Sequence, residues 1–248
     1  MWVIFFIFGA IFGSAANALV DRLPKGKSWA AGRSVCDKCG QELGVADLIP
    51  LLSYLTLGGK CRYCHKKINT RNFLMELFMA AGFAAISYFS GLGIMGEAVV
   101  MGILWVTMII FVMDAETMLV SDWMVVIWAV LVTVLNLPLT PSLVKEGGLG
   151  LLVAAGLIGG IWAVTRGKAM GAGDIEIAAV MGWWLGWPKV AVGLWLAFVL
   201  GGIYGAALLI QGRKKLKSRM AFGPWLVAGS WIGWIWGAQI VKLLIPNF

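Results

Sequence analysis

Eight apolar stretches, each close to the length that crosses a bilayer, dominate this chain and leave it few folds to adopt. Taking about 17 to 25 residues as the length of a membrane helix, they fall near residues 2–20, 73–91, 95–113, 123–139, 148–165, 174–188, 190–211 and 223–244. Lipid offers no hydrogen bonds to backbone, so such runs must satisfy their own N–H and C=O groups as helices. Composition agrees: 60% of the 248 residues are hydrophobic, with 14 Trp and 33 Gly, and mean hydropathy is +0.88. That lies well outside the range of soluble domains. The expected fold class is an all-α polytopic membrane protein of about eight transmembrane helices, with the lipid bilayer as its first partner. The sixth run is short for a full crossing, and only Trp187-Pro188-Lys189 separates it from the seventh. Residues 1–20 sit where a signal peptide would, but no Lys or Arg precedes the apolar stretch and charges follow at Asp21 and Arg22, so this is read as a retained span.

The net charge of +8 is concentrated in a few loops. Ten Lys and Arg fall within residues 21–72, two more are Arg166 and Lys168, and five lie at Arg213, Lys214, Lys215, Lys217 and Arg219. Only Lys145, Lys189 and Lys242 fall in the alternate loops and end. Eight spans with both termini outside put the seventeen on the cytoplasmic side, as the positive-inside rule requires. This distribution argues against a nucleic-acid partner, which would call for one basic surface. The chain divides accordingly into a first transmembrane helix (1–20), a cytoplasmic insert (21–72) and a membrane domain (73–248).

All four cysteines lie in the insert, as Cys36-x2-Cys39 and Cys61-x2-Cys64 with 21 residues between the pairs. Two thiolates offered from each of two tight turns make the ligand set of a zinc ribbon, and four sulfurs complete a tetrahedron. The insert is short for a core of its own, and a structural zinc would hold it together. Two redox-active pairs, or four small buried residues, are the alternatives. His65 follows Cys64 and is read as a loop residue, not a fifth ligand.

Three acids stand out in the membrane domain. Asp114 ends the third span and Asp174 begins the sixth, behind Gly171-Ala172-Gly173, so the topology places both at the cytoplasmic boundary. Ionisable groups in such positions are costly and read as functional. Gly171 and Gly173 are expected to supply positive φ and close backbone approach. A bland reading exists for Asp174 and Asp122: a carboxylate at a helix N-terminus gains about 0.3 to 1 kcal/mol from the dipole. It does not extend to Asp114, at a helix C-terminus. Glu76, inside the second span, either neighbours the site or pairs with a basic residue such as Arg71, and the pairing is the favoured reading. The tryptophans at 183, 184, 187, 225, 231, 234 and 236 are read as interface belts and packing, and Gly182, Gly186, Gly201 and Gly202 as close helix contacts.

Taken in order, the motifs resemble the type IV prepilin peptidases. The stretch from Gly13-Ser14-Ala15-Ala16-Asn17 to Arg22-Leu23-Pro24 is similar to the family's opening. The two cysteine pairs flank Asp47-Leu48-Ile49-Pro50-Leu51-Leu52-Ser53-Tyr54-Leu55; Asp114 and Asp122 follow, then Gly171-Ala172-Gly173-Asp174 and Phe222-Gly223-Pro224. The resemblance implies a membrane aspartyl endopeptidase of the bacterial cytoplasmic (inner) membrane. Such an enzyme removes the basic leader of prepilins or pseudopilins and N-methylates the new terminus with S-adenosylmethionine. It maps the catalytic aspartates onto Asp114 and Asp174, supported by Gly171, Gly173 and Asp122. The chain departs from the family pattern at Ser121, Glu176 and Ala221. No residue pattern marks a methyl-donor site. Two other classes use the same residues differently: a proton-coupled transporter carrying protons on Asp114 and Asp174, and a membrane anchor whose zinc ribbon binds a cytoplasmic partner. The position of both acids at one face, away from the midplane, disfavours the transporter.

Overall fold

A computed structural model of the chain describes residues 1–26, 33–212 and 220–244, and within these the structure is helical apart from two isolated β-bridges. The basic residues Lys27, Arg213, Lys214, Lys215, Lys217 and Arg219 lie outside the described residues. Among the described residues nine α-helices follow in order: α1 Trp2–Arg22, α2 Leu52–Thr56, α3 Thr70–Phe89, α4 Gly93–Thr117, α5 Asp122–Leu135, α6 Pro141–Thr165, α7 Ala172–Leu185, α8 Lys189–Ile210 and α9 Gly223–Leu244. Each of the eight apolar runs forms one helix, and α2 belongs to the insert.

Among the described residues, five helices are long and apolar enough to cross a membrane: α1 with its short continuation to Lys25, α3, α4, α6 and α8. The remaining three fall short on different grounds. Both α5 and α7 have 14 residues, about 21 Å at 1.5 Å per residue, against about 30 Å of hydrocarbon. The 22 residues of α9 suffice in length, but four Trp and four Gly dilute its apolarity. Large apolar side chains such as Ile4, Phe8, Phe78, Val130, Leu152, Trp195 and Ile203 face outward, as lipid-facing residues do.

The chain forms two compact units, residues 1–109 and 110–248, the division falling inside α4. In the first, α1 packs along α3 through Gly9 and Gly13, four residues apart. A Cβ at Gly9 would lie 2.7 Å from the Ala80 Cα, and one at Gly13 would lie 2.6 Å from the Glu76 Cα. Backbones this close gain dispersion that bulkier residues would forbid. Phe12 adds ring contacts to Phe83 and Trp105, and the Trp105 indole N–H donates to the Phe12 carbonyl at 2.9 Å.

The second unit uses the same device twice. Gly150 of α6 and Gly182 of α7 face each other so closely that a Cβ on either would collide with the other's carbonyl. Gly193 of α8 and Gly229 of α9 make an equivalent pair. Gly201 lies under Trp225 and Phe222, whereas Gly202, about 100° further round the helix, touches nothing within 4 Å and is no packing glycine. Between the helices sits an aromatic cluster: Trp184 meets Trp128 and Trp231 edge-on and stacks on Trp234. Trp184 is therefore a core residue, while Trp236 is exposed. The contrast between Gly182 and Gly202 yields a test. Gly182→Ala is expected to cost about 1 to 3 kcal/mol by overpacking and to lower the thermal midpoint in detergent, with Gly202→Ala within about 0.5 kcal/mol of wild type.

Candidate active site

Asp114 and Asp174 are two of the few buried acids, at 5% and 6% exposure. Asp114 lies in the last turn of α4, and its carbonyl accepts the N–H of Met118, which carries a positive φ of 54° and turns the chain out of the helix. Asp174 is the third residue of α7. Its Oδ2 accepts the Gly171 N–H at 2.9 Å in a capping box that closes the helix start. Gly171 has φ −78° and Gly173 is helical, so neither glycine takes the expected positive φ. Gly173 serves the other expectation, close approach. A Cβ there would lie 2.9 Å from the Val120 side chain, so its absence lets the segment leaving Asp114 pack on the turn that presents Asp174.

The two carboxylates are electrostatic neighbours, and both face the backbone N–H of Gly223. Gly223 is the first residue of α9, and Pro224 follows with no N–H to give. Trp225 and Leu226 already donate to the Phe222 carbonyl. First-turn N–H groups have no acceptor within their own helix, so Gly223 presents a donor and the positive end of the α9 dipole to the pair. The space is tight: a Cβ at Gly223 would lie 2.6 Å from Asp114 Oδ2 and 3.0 Å from Ile177 Cδ1. Asp114 Oδ2 itself has no hydrogen-bond partner. Gly223 is thus a site residue that periodicity and charge patterns do not single out. Its only trace in sequence is the Phe-Gly-Pro triplet.

The other acids lie apart. Asp122 and Glu116 are exposed, Asp122 as the first residue of α5. Glu176 is also exposed, since two residues along a helix turn the side chain about 200° from Asp174. Its negative charge therefore points away from the pair. Glu76 is not paired with Arg71: five residues apart on α3 they project about 140° from each other. Arg71 instead binds both carboxylate oxygens of Asp21 at 2.8 Å, and Glu76 accepts the Leu51 N–H at 2.8 Å.

The four cysteine sulfurs lie within 4.8 Å of one another, with Cys36 and Cys64 Sγ 4.0 Å apart, and all four are unbridged. A metal with sulfurs at about 2.3 Å in a tetrahedron sets sulfur pairs about 3.8 Å apart, so the cluster fits a metal ion. Two matching turns build it. Cys36 and Cys61 N–H donate to the carbonyls of Gln41 and Lys66, and Gly40 and His65 N–H donate back to those of Cys36 and Cys61. Gly40 and His65 occupy equivalent left-handed positions, φ 71° and 56°, so His65 is a turn residue. The Lys38 N–H is the main cause that draws the Cys36 thiol down to about 7. Although the Gln41 N–H pulls the other way, burial and the sulfurs of Cys36 and Cys64 push the Cys39 thiol up to about 11. A bound cation would ionise the thiols that remain protonated. Nearby, the Arg62 guanidinium bonds Asp47 at 2.6 Å and holds that carboxyl below the usual range.

Comparison with known proteins covers nearly the whole chain. Residues 7–89 match the Bacterial Peptidase A24 N-terminal domain and residues 101–206 the Type IV leader peptidase family. A prepilin leader peptidase/N-methyltransferase of Bacillus subtilis (strain 168) is 32% identical over 246 residues, 99% of this chain and 98% of the relative. Proteins of the same name from Aeromonas hydrophila and Pseudomonas aeruginosa are each 28% identical, over 100% and 95% of this chain and 96% and 90% of theirs. No solved structure matches the chain significantly.

The geometry at Gly223 predicts that Gly223→Ala drives a methyl group into Asp114. Peptide cleavage should fall by at least about tenfold. The metal content of the cysteine cluster, far from the substitution in sequence, should stay at the wild-type level by elemental analysis.

Proposed function

The chain belongs to the type IV leader peptidase family, and from that premise we propose that it removes the leader from prepilins or pseudopilins with Asp114 and Asp174 and methylates the N-terminus so exposed. The observation that carries the peptidase assignment is the convergence of two buried carboxylates on one backbone N–H. Hydrolysis by such a pair needs one carboxylate to take a proton from water while the other, protonated, donates to the scissile carbonyl. Like charges held close do not both ionise easily, so the pair keeps one proton between them and titrates in two steps. The Gly223 N–H stabilises the ionised member. The bonds cleaved and formed are those of ordinary amide hydrolysis: water oxygen adds to the carbonyl carbon, and the C–N bond breaks as the amine takes the proton.

The substrate class follows from this placement. A prepilin presents a basic leader outside the membrane and an apolar helix within it, so its cleavage point lies at a membrane boundary. Seventeen of twenty basic residues fall on one side of an eight-span topology with both termini outside, which supports an active site and cysteine insert on the cytoplasmic face of the inner membrane. In that topology α5, α7 and α9 are crossings too, shortened or lined with glycine where they pack on neighbours. The transporter alternative finds no support among the relatives matched. S-adenosylmethionine, the methyl donor of this enzyme class, is the co-substrate of the second activity, and zinc is the metal that the four thiols suit best.

Asp114→Asn and Asp174→Asn should each reduce leader removal by roughly a thousandfold or more, as loss of one member of a catalytic unit does. The shift of a prepilin to its mature mass in isolated membranes reads this out, and normal processing by either variant would refute the two-aspartate mechanism. Elemental analysis of the purified protein should give about one zinc per chain, lost with Cys36→Ser or Cys61→Ser.

A further inference from the structure

The insert holds a stretch that does not suit a loop in water. The twelve residues between Asp47 and Lys60 carry no charge, and six of them are Leu or Ile. Four of these stand open: Leu48 at 40%, Ile49 at 44%, Leu52 at 59% and Leu55 at 62% exposure. A group of large apolar side chains left open marks a contact with something apolar. Leu52 and Leu55, three apart on α2, share one face of that helix. Tyr54 and Leu57 turn the other way and line a cleft of about 1030 Å³ between the insert, α1 and α3.

The stretch is anchored at membrane depth. Leu51, 9% exposed, packs with Ala10 and Ala80 and against Phe6 and Phe73, and its N–H donates to the Glu76 carboxylate at 2.8 Å. In α3 the polar start Thr70-Arg71-Asn72 gives way to apolar sequence at Phe73, so Glu76 and Ala80 lie about 4.5 and 10.5 Å further along the helix. On α1, Ala10 is near the middle of the helix. Leu74, Leu77 and Phe78 of α3 are exposed at the same level. The open side chains of the stretch therefore share their depth with lipid-facing ones.

Backbone that enters hydrocarbon must satisfy its own polar groups or pack on protein, and this segment does both. The chain reverses at Leu51, φ 63° and ψ −51°, in a γ-turn closed by the Leu52 N–H on the Pro50 carbonyl at 2.7 Å. Pro50 has no N–H to satisfy. The N–H groups of Ser53, Leu55 and Leu57 donate to Ile49, Leu51 and Ser53 carbonyls, and the Thr56 hydroxyl donates to the Leu52 carbonyl at 2.8 Å. The polar approach to the stretch is held separately: Asp47 accepts from the Arg62 guanidinium, the Tyr63 hydroxyl and the Gly44 N–H.

We infer that residues 48–57 dip into the bilayer as a re-entrant hook, with Ile49, Leu52 and Leu55 against lipid acyl chains and Leu51 keyed between α1 and α3. A depth of about 5 to 10 Å is that of apolar faces seated at the headgroup–acyl boundary. A protein partner in water would leave unexplained why the anchor lies level with lipid-facing residues. Glu76 gains a role here: inside a span, its carboxylate holds the N–H of the turn that enters the membrane. The insertion depends on α1 and α3 crossing the bilayer and not on the peptidase chemistry. An insert fastened this way cannot swing freely on its two connections, so the four-sulfur cluster keeps a fixed height above the lipid.

The test is photolabelling of the full-length wild-type protein in vesicles of phosphatidylethanolamine and phosphatidylglycerol, a fraction of whose acyl chains carry a diazirine. Adducts are mapped to residues by mass spectrometry. Residues 48–57 should be labelled at least about fivefold above Val35 and Tyr63, exposed side chains of the cysteine turns, and within about threefold of Leu152 on α6. Labelling of 48–57 no higher than that of Val35 and Tyr63 overturns the hook, whether water, a partner protein or a second copy of the chain covers it. The double substitution Leu52→Asp with Leu55→Asp should cut labelling of the stretch at least about fivefold while the cysteine cluster keeps its metal, because charge is expelled from hydrocarbon. Undiminished labelling in a metal-loaded variant counts equally against the hook. Where the variant loses its metal, the wild-type pattern decides.

Discussion

Two carboxylates withdrawn from water constrain everything around them. An isolated buried carboxylate costs several kcal/mol, and Asp114 carries the added disadvantage of a helix C-terminus, where the dipole repels it. The remedy lies in α9, whose N-terminus arrives at the pair with the Gly223 N–H unclaimed. That remedy works only if α9 comes close. It does so because glycine lines its contact face: Gly223 against Asp114, Gly229 against Gly193, Gly233 against Leu185. The glycine content that first marks the chain as membrane-embedded is thus also what lets a helix end reach a charge. Gly173 does the same for the turn behind Asp174, admitting Val120 and with it the segment that leaves Asp114.

Much of this is legible in the residues, and the illegible part has physical causes. Apolar runs mark helices because lipid allows no alternative for so long an unbroken run, and the cysteine spacing gives a four-sulfur cluster because two-residue gaps fit one turn each. Pairings of single charges are another matter. Asp21 lies fifty residues from Arg71, whereas Glu76 lies five away and looks like the natural partner; only the packing of α1 on α3 reveals that Arg71 reaches across to Asp21. Glycines are similarly ambiguous. Gly171 reads as a positive-φ residue and is an N-cap, and Gly201 and Gly202 read alike until the helix face is known. A glycine needed for space and a glycine needed for φ leave the same letter in the sequence.

The glutamate beside the glycine-rich turn illustrates how rotation decides electrostatics. Two positions from Asp174, Glu176 looks able to press a second charge on the pair. The helix turns it outward, where water and ions screen it, while Asp174 stays buried. The departure from the family pattern at Glu176 therefore falls on the exposed surface and not in the pair's immediate surroundings.

The two units differ in how they treat their polar groups. Residues 110–248 bury two carboxylates against a helix end, with Ile177 beside Gly223 and Val120 beside Gly173. Residues 1–109 hold a broad cleft lined by acidic, aromatic and basic side chains together. The two buried carboxylates are shielded from bulk water, whereas a cleft of this size is open to exchange. The four sulfurs of the insert draw two turns of a short segment together, so its polar residues can wall a cleft with little hydrophobic core beneath them.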